Sequence, residues 1–260
     1  MRDAVADLIV RDGVAVLTLR RAASGNAVDR ELATRLAVLL EGAAWDGVDA
    51  LVLRSNGATF SVGGDLREMA NAPDRAAYFA ELVGMAHRAI RALAAVPVPV
   101  IAVVDGAAAG AGLALALLAD FVLAGDRARF VAAYARVGLT PDCGTSWLLP
   151  RVVGPRHARR LTLLNDPLGP DEAAALGIAT HRVASEQLTL ELGRMIDRIR
   201  ASSRPAIAGT KRLLAGGDDL RLLSEHLDRE LASIVEVGGG AEAGEKISAF
   251  FLDSRSRVER

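Results

Sequence analysis

The segment 137–147, VGLTPDCGTSW, places Asp142 directly after Pro141 and two residues before Gly144, inside an otherwise apolar stretch. Two readings compete for this carboxylate. Proline presets φ and aspartate bonds its own backbone, so Pro-Asp-x-Gly is ordinary surface-turn chemistry. Buried among apolar neighbours, the same group would be pushed up in pKa and become a usable base. Two further segments bear on the choice, FSVGGDLREM (60–69) and DGAAAGAGLALALLAD (105–120). Each sets glycine at a strand end just before a helix, where backbone N–H groups lack intrahelical partners and the dipole is positive. Two such ends aimed at one point would bind an oxyanion. The plainer reading is that these glycines only permit tight turns and close helix packing. Dinucleotide binding also competes: Gly110 and Gly112 begin a GxGxxG with Asp126 at a plausible ribose distance, but Leu115 stands at the third glycine.

These segments need elements to hold them. DLIVR (7–11) and GVAVLTL (13–19) alternate and meet at Asp12-Gly13, a hairpin signal. Residues 29–44 carry Leu32, Leu36, Leu39 and Leu40 at helical spacing, and 75–94 does the same with Tyr78, Leu82, Met85, Ala86, Ile90 and Leu93. ALVL (50–53), PVIAVVDG (99–106) and DFVLAG (120–125) read as buried strands, and a small-residue helix is expected up to about 119. Beyond 155 the pattern is helical, apart from the strand-like IATHRV (178–183). A long amphipathic helix is predicted over 217–235, a flexible stop at Gly238-Gly239-Gly240, and a last helix over 242–251. This alternation predicts an α/β fold with helices covering a sheet.

The chain has 260 residues, 31 basic against 32 acidic, and a net charge of −1. No face is marked for nucleic acid or for a membrane surface. Asp3 and Asp7 interrupt the N-terminal apolar run, which therefore does not read as a signal peptide. One cysteine, Cys143, allows no internal disulfide and fits a reducing, cytoplasmic setting. Apolar faces on several C-terminal helices predict a homo-oligomer.

In order and spacing, NAV (26–28), FSVGGDL (60–66), PVIAVVDGAAAGAG (99–112), ADFVLAG (119–125), GLTPDCGTSWLLPRVVG (138–154), LGIATHRV (176–183), KRLL (211–214) and SAFF (248–251) resemble the enoyl-CoA hydratase/isomerase, or crotonase, superfamily. The resemblance implies a spiral of ββα units over 1–198 and a C-terminal helical trimerisation region over 199–260. It implies an acyl-CoA substrate, no cofactor beyond the coenzyme A of that substrate, and a homotrimer or a hexamer built as a dimer of trimers. It further implies an oxyanion hole from the backbone N–H groups of Gly64 and Ala111.

Family hydratases use two glutamates, at positions occupied here by Ala114 and Tyr134. Alanine carries no proton, and a tyrosine pKa near ~10 makes a poor base at neutral pH. Asp142 falls where single-aspartate isomerases and the dehalogenase branch carry their catalytic acid. A 1,3-proton shift needs one shuttle, so the resemblance favours a double-bond isomerase; nucleophilic attack by Asp142, an atypical hydratase or hydrolase, and a non-catalytic acyl-CoA binder are the alternatives. It also implies substrate or CoA contacts at Ser24, Asn26, Asp65, Leu66, Met69, Tyr134, Trp147 and Lys211, with Tyr78 in a specificity segment and Arg255 as a displaced CoA contact. Asp65 reads as a helix cap, Cys143 as a packed thiol, and His87 as a helix-surface histidine. His157, His181 and His226 have no metal-ligand spacing, so no metal is expected.

Overall fold

Asp12 (φ 47°) and Gly13 (φ 73°) form the two-residue turn that folds β1 (Ala6–Arg11) onto β2 (Val14–Leu19), pairing Arg11 with Val14. Positive φ at both central residues matches the right-handed twist of the strands. The computed structural model describes residues 4–216 and 218–258, with side chains through residue 252. Asp3, Gly217 and the Arg255 side chain lie outside the described residues.

α1 (Arg30–Glu41) follows, capped by Asp29, whose side chain accepts from the Leu32 N–H, and leads to β3 (Ala50–Ser55). α2 (Leu66–Asn71) and α3 (Arg75–Ala94) come next, then β4 (Val100–Val104). β5 (Ala107–Ala109), α4 (Ala111–Leu117), β6 (Phe121–Ala124) and β7 (Arg129–Val131) complete the sheet-forming half. α5 (Thr145–Arg159), interrupted at Gly154, α6 (Pro170–Ala175) and the short β8 (His181–Arg182) precede four helices. These are α7 (Leu188–Arg200), α8 (Arg204–Ala215), α9 (Asp219–Gly239) and α10 (Ala241–Val258). The main sheet runs β1-β2-β3-β4-β6-β8, antiparallel only in the opening hairpin, and β5 pairs with β7 in a small second sheet.

Parallel strands covered on both faces are apolar throughout, and β3 shows why. Leu51 and Leu53 join a core with Leu32 and Leu36 of α1 and Phe79 and Leu82 of α3. Ala50 and Val52 point the other way, to Ile101, Leu123 and the Met195 and Ile196 of α7. The C-terminal helices are tied to the sheet by charge as well. Asp49, almost buried, accepts from Arg200 (3.0 Å) and Arg204 (2.6 Å), and these guanidiniums hold its carboxyl below the usual range.

The structure corrects the C-terminal reading. α9 does not stop at 235 but runs through Gly238 and Gly239, and only Gly240 leaves the helical conformation. The glycines are there for contact between helices. A Cβ on Gly238 would lie 2.6 Å from the Phe79 ring of α3, and one on Gly239 would lie 2.9 Å from the Ala76 Cβ. The small-residue helix ends at Leu117 rather than 119, and of the 178–183 stretch only two residues pair with β6. Among the described residues no helix is long and apolar enough to cross a membrane.

Two substitutions separate contact from propensity. Gly238→Val is expected to lower unfolding free energy in urea by about 2–3 kcal/mol, because an overpacked contact must push α3 and α9 apart. Gly193→Ala, inside α7 with nothing within 4 Å of the new Cβ, is expected to raise it by about 1 kcal/mol. Equal effects from the two would refute the packing account.

Candidate active site

Gly63 and Gly64 are threaded into place by buried polar side chains. Asn26 donates to the Thr59 carbonyl (2.9 Å) and accepts from the Arg21 N–H (2.8 Å). Ser61 donates to the Asn26 carbonyl (2.8 Å) and accepts from the Gly63 N–H (3.2 Å). Val28 then bridges the segment, donating to the Gly63 carbonyl and accepting from the Asp65 N–H. Gly63 sits at φ +90°, and a Cβ there would lie 2.8 Å from the Ala109 carbonyl oxygen. Only glycine lets the two glycine-bearing segments come this close.

Ala111 opens α4, so its N–H has no partner within the helix. Gly110 precedes it at φ 52°, ψ −121°, a conformation that sterics reserve for glycine. Among the described residues neither the Gly64 nor the Ala111 N–H donates a hydrogen bond. Both residues line one cavity of about 270 Å³, whose wall is otherwise mostly apolar, with Leu66, Met69, Leu82, Val83 and Ile234.

Asp142 lines the same cavity at 8% exposure, and its Oδ1 is buried without a hydrogen-bond partner among the described residues. Burial pushes its carboxyl up to about 6, opposed by the Tyr134 hydroxyl and the Cys143 thiol beside it. A carboxyl at that value gives up and takes back a proton near neutral pH. Tyr134 also lines the cavity, but its hydroxyl is committed to the Asp142 carbonyl (3.2 Å) and to Thr145 Oγ1 (3.1 Å). Burial raises both the Tyr134 hydroxyl and the Cys143 thiol well above their ordinary values, so neither ionises near neutral pH.

After Asp142 the chain turns through two left-handed residues, Cys143 (φ 55°) and Gly144 (φ 82°). For a non-glycine residue this conformation costs on the order of 1 kcal/mol and persists only when surroundings impose it. Those surroundings are His87 of α3 and Glu230 of α9. The Cys143 N–H donates to His87 Nε2 (3.2 Å), and the Gly144 N–H to Glu230 Oε2 (2.7 Å). The Ser146 N–H donates to Glu230 Oε1 (3.0 Å), and the Ser146 hydroxyl to the same oxygen.

His87 is therefore not on a helix surface, as its sequence context suggested, but 1% exposed. Burial, assisted by Arg91, lowers its pKa to about 4, so it is neutral and accepts at Nε2. Glu230 is missed by motif reading, because no family motif runs through it. A signal was present: it stands at helical spacing between Leu227 and Ile234 on the buried stripe of α9. A charged residue on an apolar stripe demands a buried partner.

Six of the expected site residues meet at the cavity: Gly64, Leu66, Met69, Ala111, Tyr134 and Asp142. Asp65 stands just behind, capping α2 through the N–H groups of Arg67 and Glu68. Asn26 is buried as scaffold, and the exposed Ser24 turns its hydroxyl back to the Arg21 carbonyl. Trp147 is not in the cavity wall; the Arg151 guanidinium lies 3.2 Å over its ring, which also packs on His226. Lys211 is likewise elsewhere, held by Asp120 (2.6 Å) and the Val98 carbonyl (2.8 Å). Tyr78 bonds Glu68 (2.9 Å) outside the cavity. Ala114 is fully buried in α4 and presents no group to the site. Among the described residues no cluster of three or more His, Cys, Asp or Glu side chains could hold a metal.

Residues 10–250 match the sequence model of the enoyl-CoA hydratase/isomerase family. The chain is 33% identical to a trans-2-decenoyl-acyl-carrier-protein isomerase of Streptococcus mutans, over 90% of this chain and 92% of that one. It is 34% identical to the 1,2-epoxyphenylacetyl-CoA isomerase of Escherichia coli, over 93% of each. A 4-chlorobenzoyl coenzyme A dehalogenase of Arthrobacter is 30% identical, over 92% of this chain and 87% of that one. Among solved structures, an enoyl-CoA hydratase from Mycobacterium avium subsp. paratuberculosis superposes with a TM-score of 0.85 at 32% identity, over 95% of this chain and 99% of that one.

The burial of Asp142 has a consequence for stability. An unfolded aspartate ionises near 3.8, whereas the folded one holds its proton to about 6. The folded state therefore binds more protons across that window, and stability falls as pH rises through it. Asp142→Asn removes the cost of the buried charge. It is expected to be more stable than the native protein at pH 8 by on the order of 3 kcal/mol, with the gain vanishing below about pH 4. Urea unfolding at the two pH values checks this; a variant less stable than native at pH 8 would refute it.

Proposed function

We propose, from the premise that the chain belongs to the enoyl-CoA hydratase/isomerase family and has its crotonase fold, that it is an acyl-CoA isomerase moving a double bond from the 3- to the 2-position. The observation that carries this reading is a single buried carboxyl, Asp142, with an unpartnered oxygen, in one cavity with two uncommitted backbone N–H groups. The thioester carbonyl is received by the N–H groups of Gly64 and Ala111. Asp142 takes a proton from C2, and the C–H electron pair moves onto the carbonyl oxygen as an enolate. Donors preset for that oxyanion stabilise it without reorganising. The enolate then collapses, the double bond forms between C2 and C3, and Asp142 returns the proton to C4.

Hydration would need a second group to activate and orient water. Ala114 supplies none, and the Tyr134 hydroxyl is protonated and already bonded. The apolar cavity wall suits an acyl group without charge. The same reading has the chain working in the cytoplasm as a homotrimer, or a dimer of trimers, joined through residues 199–260. Support for the assembly comes from α8, which buries none of its residues and leaves Leu213 and Leu214 more than 80% exposed.

Conversion of a 3-enoyl-CoA to its 2-enoyl isomer should fall about 10²–10⁴-fold in Asp142→Asn, the usual contribution of a positioned acid/base. The native protein should also exchange Cα protons with heavy water. Near-native turnover by the variant would sink the assignment. Rapid formation of 3-hydroxyacyl-CoA from a 2-enoyl-CoA would replace isomerisation by hydration.

A further inference from the structure

The turn that carries Asp142 depends on an acceptor from a distant helix. Gly144, the residue just before α5, has no side chain to cap the helix, yet the Gly144 and Ser146 N–H groups are both satisfied. The two oxygens of Glu230 satisfy them, with the Ser146 hydroxyl as a third donor to the pair. Capping carboxylates normally come from the residue before the helix; here the group arrives from 86 positions along the chain. Glu230 does not line the cavity, so it has no route to the substrate except through this turn.

The surroundings of Glu230 are defined on every side. His87 Nε2 of α3 lies 4.0 Å from Oε2, and His226 Nε2 of its own helix lies 3.8 Å from Oε1. Asp142 and Cys143 face it from the turn, with Ser146 beyond. Behind the two histidines, Arg91 and Asp228 act on His87, and Arg229 and Arg151 act on His226. Both histidines are held below their ordinary pKa, His87 to about 4, by burial first and then by those arginines. Neither supplies a positive charge at neutral pH, and burial pushes the Glu230 carboxyl itself up to about 7, opposed by the Ser146 hydroxyl and the Gly144 N–H.

We infer that Glu230 is a positioning residue for Asp142: its carboxyl group locks the 142–146 turn so that the Asp142 carboxyl faces the cavity, and its charge, where ionised, strengthens Asp142 as a base. The inference rests on the isomerase reading for its catalytic consequence. Glutamine in place of Glu230 is close in volume but wrong in hydrogen bonding. Its carbonyl can accept from one N–H, while its NH₂ meets the other donor head-on. Aspartate keeps charge and both acceptors on an arm one methylene shorter.

The test compares native protein, Glu230→Gln and Glu230→Asp. Isomerisation of 3-enoyl-CoA is followed from pH 5 to 9, the Asp142 carboxyl is titrated by ¹³C NMR, and folding is checked by circular dichroism. Glu230→Gln is expected to lower kcat about 10–100-fold with KM changed less than about threefold, because orientation is lost and not binding. Its acidic limb and the Asp142 NMR midpoint should both move down by less than about 0.5 pH unit, because Glu230, itself raised to about 7, is only partly ionised where Asp142 titrates. Glu230→Asp should leave both midpoints in place and lose only about 3–10-fold in kcat. A folded Glu230→Gln with native kcat and unmoved midpoints would overturn the inference. So would Glu230→Asp with native kcat, which decides the matter should Glu230→Gln not fold. A native protein that exchanges no Cα proton refutes the isomerase reading alone, and the NMR midpoints then decide the role of Glu230.

Discussion

Asp142 carries one oxygen that is buried and without a partner among the described residues. Leaving a charged group so poorly solvated costs several kcal/mol unless it takes a proton instead, which is the direction of its pKa. The Tyr134 hydroxyl and the Cys143 thiol beside it oppose that rise without cancelling it. The backbone on either side must hold the carboxyl. Most of the features around the site serve that requirement: the Tyr134 hydroxyl on the Asp142 carbonyl, the left-handed pair Cys143 and Gly144, and the acceptors His87 and Glu230 behind them.

Those acceptors are only as well placed as the helices that bear them. α3 and α9 run against each other along Phe79, Leu82, Leu227 and Ile234, and the close contact is possible because residues 238 and 239 have no Cβ. The glycines weaken α9 as an isolated helix and allow it to approach α3. That approach sets the depth at which Glu230 meets the turn. At the other end, Asp49 ties Arg200 and Arg204 to the start of β3, which fixes where the C-terminal helices begin. Stability and site geometry are thus served by the same contacts.

Much of this was legible in the order of residues. The hairpin at Asp12-Gly13 and the helix over 75–94 follow from period, turn chemistry and capping, all of which act within a few residues. The two glycine-bearing segments were readable as possible oxyanion sites because they sit between strand ends and helix starts, and the resemblance to the family singled out Asp142. The errors fall where that locality fails. Gly238-Gly239-Gly240 has the composition of a stop, but two of its glycines are helical, since a ring from another helix needs the space. The contacts of Trp147 with Arg151 and His226, and of Lys211 with Asp120, likewise come from packing between distant segments.

The amino-acid sequence alone determined the fold class, the elements that end at the cavity, and the absence of both hydratase carboxylates, which left Asp142 as the candidate acid. These depend on residue type, on short-range spacing and, for the two carboxylate positions, on the resemblance to the enoyl-CoA hydratase/isomerase family. Only the tertiary structure decided that His87 is buried, that Glu230 reaches the turn after Asp142, and that the Asp142 oxygen is unpartnered. Those facts arise from contacts between positions 56 and 86 apart. Packing sets which face of each helix points inward and which donors and acceptors then meet, and no local pattern in the chain specifies that.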